Sequence, residues 1–93
     1  MDPQDIGKKT SYTLFDEVAE KTTITLEKYI ADILHMIFPN VHGWIQKAFS
    51  EVSAMHPHLT RMQKGNAVRE LALVVVKDTP LYEQYMSDLL NSL

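Results

Sequence analysis

The residues able to do chemistry are few and scattered. Four histidines stand at His35, His42, His56 and His58, and only His56-Pro57-His58 brings two of them close. That i,i+2 spacing around a proline does not put both rings on one helical face, and a zinc site wants three or four ligands with supporting second partners. The chain has no cysteine, which removes thiolate metal sites, disulfides and a sulfur nucleophile. Ser50 and Ser53 sit in no strand-to-helix nucleophile elbow. Asp16 and Glu17 are neighbours in sequence, so on a helix they point apart and suit the positive end of its dipole rather than paired acid–base work. Gly7-Lys8-Lys9-Thr10 has the tail of a phosphate-binding loop but neither the upstream glycine nor a preceding strand pattern. No catalytic, metal or cofactor residues are expected.

Charge is the next source of function. Nine basic and twelve acidic residues give a formal net charge of −3, against a general affinity for nucleic acid. The distribution is uneven. Residues 59–77 hold Arg61, Lys64, Arg69 and Lys77 against Glu70, a local +3; residues 78–93 hold Asp78, Glu83 and Asp88 with no base, a local −3. The four cations form the candidate nucleic-acid set, flanking a glycine-containing turn loosely like that of a helix-turn-helix.

The elements that must position these groups read as helical. Apolar residues recur at helical spacing and strict alternation is nearly absent, so the chain is expected to be all-α, a bundle of about five helices over 11–21, 25–38, 41–55, 66–77 and 80–92, with a short helical turn near 59–64. Residues 1–10 read as a flexible arm and 11–93 as a single domain. The β-branched run Thr22-Thr23-Ile24-Thr25 is read as a break between the first two helices. Leu26, Tyr29, Ile30, Ile33, Leu34 and Ile37 form one stripe; Val41, Trp44, Ile45, Ala48, Phe49 and Val52 repeat it after an Asn40 cap. One unbroken helix over 59–77 would turn Arg61 and Lys64 toward the apolar side, a costly burial, so a break is placed at Gly65-Asn66. Thr79-Pro80 opens the last helix, whose stripe is Leu81, Tyr82, Tyr85, Met86, Leu89, Leu90 and Leu93. The last four helices are expected to form the core, with Trp44 and Phe49 central.

More large apolar residues are present than those stripes use, and five are methionines, which suit an adaptable contact surface. The interface residues expected are Met36, Phe38, Tyr82, Tyr85, Met86 and Leu89. The function expected is therefore non-enzymatic: a small regulatory, adaptor or inhibitor module that binds another protein through an apolar helical face and pairs with itself as a homodimer. The alternative is a nucleic-acid-associated transcriptional regulator acting through the basic segment 61–77. No run is apolar and long enough to span a membrane, and MDPQDIGKKTS has no apolar leader core, so a cytoplasmic setting is expected, the host cytoplasm for a viral or pathogen protein.

Overall fold

A computed structural model describes residues 7–92, and those residues are not an all-α bundle of five helices. Two antiparallel strands, β1 (Lys9–Phe15) and β2 (Lys21–Glu27), precede four helices: α1 (Lys28–Ile37), α2 (Val41–Met55), α3 (Arg61–Lys77) and α4 (Pro80–Ser92). Residues 1–6 of the expected arm lie outside the described residues, and Lys9 and Thr10 already belong to β1.

The hairpin replaces the expected helix 11–21 and the break after it. Its register sets Thr10 opposite Leu26, Tyr12 opposite Ile24 and Leu14 opposite Thr22. Tyr12, Leu14, Ile24 and Leu26 face inward and are buried, while Lys9, Ser11, Thr13 and Phe15 alternate outward. This is a period of two, and the β-branched threonines favour it over helix. On the outer face the Ser11 and Thr25 hydroxyls meet at 3.1 Å and Lys9 pairs with Glu27 at 2.9 Å. The turn 16–20 uses no glycine. The Asp16 carboxylate accepts from the Val18 and Glu20 amides at 3.0 and 2.9 Å, and Ala19 takes a left-handed φ of 61°. Asp16 and Glu17 are thus turn residues, not the first turn of a helix.

A two-stranded sheet has two exposed edges, and helix side chains partly close both. The Gln46 amide accepts from the Phe15 N–H at 2.9 Å and donates to its carbonyl at 3.0 Å. His42 Nε2 lies 2.6 Å from the Thr13 carbonyl, and Arg69 Nε donates to that of Thr25 at 2.8 Å. Groups satisfied in this way are closed to pairing with another strand.

α1 follows β2 without a loop and starts later than the expected helix, because Leu26 completes the sheet. α2 keeps the expected bounds 41–55, its first turn capped by Asn40, whose side chain accepts from the Gly43 amide at 2.9 Å. α3 is the second correction. It runs unbroken through Gly65 and Asn66, and begins in a reciprocal cap between Thr60 and Gln63. Gly65 is buried against the sheet, with Ile24 beside it. The core joins the inner sheet face to Ile30 and Leu34 of α1, Ile45 and Phe49 of α2, and Val68, Ala72 and Val76 of α3. Phe49 is central as expected. Trp44 is half-buried and stacks on Phe38, with ring centres 5.3 Å apart. α4 contributes no buried residue, so the last helix is not part of the core.

Candidate functional site

α4 is the element whose sequence and placement disagree most. Leu81, Tyr82, Tyr85, Met86 and Leu89 are only half-buried, and Leu90 is 73% exposed. The helix is held at its first half by aromatic contact. The Tyr29 ring of α1 lies 4.2 Å from that of Tyr85, nearly parallel at 15°, and 6.4 Å from that of Tyr82. Burial, then the neighbouring Tyr82 and Tyr85, hold the Tyr29 hydroxyl above its usual pKa.

Between α1 and α4 runs a groove of about 280 Å³. α1 supplies Tyr29, Ile33 and Met36; α4 supplies Leu81, Tyr85 and Asp88, with Asp32 and Gln84 completing the lining. Each helix therefore presents a row at i, i+4, i+7, the repeat with which a helix presents one face. α1 buries Ile30, Ala31, Ile33 and Leu34 in the core; Tyr29 and Met36 stand beside that face, and Ile33 joins the two. Met36 is 71% exposed. Asp32 pairs with Lys28 at 2.9 Å one turn away.

Of the interface residues expected from sequence, Met36 and Tyr85 line this groove and Tyr82 abuts it through Tyr29. Met86 and Leu89 lie on α4 outside the groove lining. Phe38 lies at the α1–α2 corner against Trp44 and is not part of the groove lining. Tyr29, Ile33 and Leu81, members of the α1 and α4 apolar stripes, also belong to the groove. The width of the α1 stripe was the available signal.

The basic set is distributed differently. Arg61 pairs with Asp16 at 2.7 Å and with Glu20; Lys64, 4% exposed, holds its ammonium 3.5 Å from Glu17. The unbroken α3 turns Lys64 inward and leaves Arg61 exposed, and what faces both is the acidic hairpin turn rather than apolar core. Amide donation from Glu20 and Val18, with Arg61 beside it, holds the Asp16 carboxyl below its usual pKa. Arg69 donates to Thr25 and to the Asn66 side chain. Lys77 is exposed at the far end of α3, next to Asp78 and Glu83.

The remaining chemistry-bearing groups do not converge. His56 and His58 lie edge to face at 6.1 Å in the connection 56–60, and no group of three or more His, Asp or Glu side chains among the described residues is arranged to hold a metal ion. A second cavity of about 200 Å³ lies between the hairpin turn and the end of α2, lined by Phe15, Phe49, Ser50, Ser53 and Pro57 among others. The buried Ser53 hydroxyl has no hydrogen-bond partner among the described residues. No helix among them is long and apolar enough to cross a membrane. No family model, curated protein or solved structure matches the chain.

Proposed function

We infer that this chain is a small, non-enzymatic, cytoplasmic interaction module, acting as a regulator, adaptor or inhibitor by seating a helix of another protein in the α1–α4 groove. One observation carries the reading: α4 holds an apolar stripe along its length yet buries none of it fully on its own fold. Helices that stay folded normally bury such a stripe, and a groove floored by two i, i+4, i+7 rows is the form that receives a helix. Large aromatic and Met side chains supply most of the energy at such surfaces. The test is solution mass and partner capture with wild type against Met36→Asp. The reading expects association lost with helical circular dichroism intact. Loss of the fold itself would mean that the α1 row is core.

Self-association is a second reading, favoured by a separate observation. Met86, Leu89 and Leu90 lie on α4 outside the groove lining, with Leu90 mostly in solvent. Two copies joined along that side would leave the groove open. Light scattering after size exclusion over a tenfold concentration range should give a dimer that Leu90→Asp dissolves. A monomer mass throughout would end it. The nucleic-acid alternative finds less support, because Arg61, Lys64 and Arg69 already serve the hairpin. A duplex mobility shift at low salt, lost in Arg61→Glu/Lys64→Glu, would revive it.

A further inference from the structure

Resting on the docking reading above, we propose that the helix seated in the α1–α4 groove belongs to a different protein and carries Lys or Arg beside its apolar stripe. The groove sorts its lining by chemistry. The apolar and aromatic side chains Tyr29, Ile33, Met36, Leu81 and Tyr85 make the floor. Two carboxylates stand among them, one from each helix: Asp32 of α1 on the side turned away from the core, and Asp88 of α4 in the row of Leu81 and Tyr85. A helix laid in the groove would meet a carboxylate from each of its two walls.

The surroundings carry the same sign. Glu83 stands on α4, no basic residue occupies the last turn of that helix to offset its carbonyl end, and residues 78–93 contain no Lys or Arg. Beside the groove, Lys28 is engaged by Asp32 in an exposed i,i+4 pair, an interaction weak enough for an incoming cation to share. This charge pattern also argues against a second copy at the same place. A second α1–α4 face would bring the carboxylates of one copy against those of the other, and like charges brought together oppose association. At about 280 Å³ the groove suits a few apolar side chains of a helix better than a large cofactor.

The experiment titrates the full chain into two labelled synthetic amphipathic helices that share the same Leu positions at i, i+3, i+4 and i+7. One has Lys at all flanking positions and the other Glu. Fluorescence anisotropy reads affinity, and amide chemical shifts read location. The proposal expects the Lys peptide to bind at least about tenfold more tightly than the Glu peptide. Shifts should centre on Met36 and Tyr85. The pair Asp32→Asn/Asp88→Asn should weaken the Lys peptide several-fold and flatten its salt dependence, and Tyr85→Ala should remove binding of either peptide. Equal affinity for both peptides at the groove overturns the charge assignment and leaves the docking reading standing. Lys-peptide binding that survives Tyr85→Ala with shifts elsewhere is general attraction to an acidic chain and overturns the proposal. If neither peptide binds and a dimer dissolves on Tyr85→Ala, the occupant is a second copy. If neither binds and the chain is monomeric, the docking reading fails as well.

Discussion

Gly43 is in the first turn of α2 because Asn40 needs the space. A Cβ there would stand 2.5 Å from the Asn40 amide nitrogen, so Gly43→Ala must push the cap off the helix. The expected loss is about 1 kcal/mol, the usual value of an N-cap, read from denaturant midpoints; an unchanged midpoint would mean that the cap contributes nothing. Ser53 works in the opposite sense. Its hydroxyl is buried without a hydrogen-bond partner among the described residues, so Ser53→Ala removes an unsatisfied group and improves helix propensity, and should raise the thermal midpoint. A lower midpoint would show that the hydroxyl is satisfied in solution. Asp16 sets an acid limit. Its folded pKa lies below its unfolded value of 3.8, so its stabilising effect is complete above that value and is lost as pH falls through the folded pKa. Asp16→Asn should therefore lower stability at pH 7 and make it less pH-dependent below pH 4. A variant with the acid limb of the wild type would place the titrating group elsewhere.

The elements differ in how far they could be read from sequence, and each difference has a cause. α2 was legible because a strong cap, a full stripe and a proline before the cap all agree. α4 was legible in its bounds for the same kind of reason. The hairpin was not. Tyr12, Phe15, Val18 and Ala19 also fall at helical spacing, and two strands of seven residues are too short for either period to win. Its turn also lacks the Asn-Gly or Asp-Gly signature, because Asp16 and a left-handed Ala19 perform that work. Ala19→Gly should stabilise the hairpin by about 1 kcal/mol, since only glycine takes that φ without cost. No gain would mean that the turn relaxes to another conformation. The continuity of α3 is hidden in the sequence because the apolar pattern alone does not show the acids of the hairpin turn that meet Arg61 and Lys64, although the Thr60-to-Gln63 capping spacing is present. The two readings of Gly65 predict opposite signs. An added Cβ would meet Ile24 at an ordinary 3.8 Å, so in a continuous α3 Gly65→Ala should stabilise by up to about 1 kcal/mol. At a helix break requiring the left-handed conformation, the same change would destabilise. Of the candidate site, Met36 and Tyr85 could be picked out as apolar surplus. Tyr29 and Ile33 could not, because an apolar stripe does not reveal how much of it another element covers.

At the scale of the molecule, the inner sheet face, α1, α2 and α3 form one closed core, and α4 lies against it without sharing in it. A segment with so little buried surface opens locally at a lower free energy than the body that carries it. That separation is what allows α1 and α4 to keep an apolar groove available while the rest of the chain stays folded. Amide hydrogen exchange along the whole chain at low concentration, with and without the Lys-flanked helix, tests this most directly. The account predicts α4 exchanging well before α2 and α3 in the chain alone, and slowing when the peptide is present. Protection of α4 equal to that of α2 and α3, unchanged by the peptide, would show a helix already fully docked on its own fold, with no groove waiting for a partner.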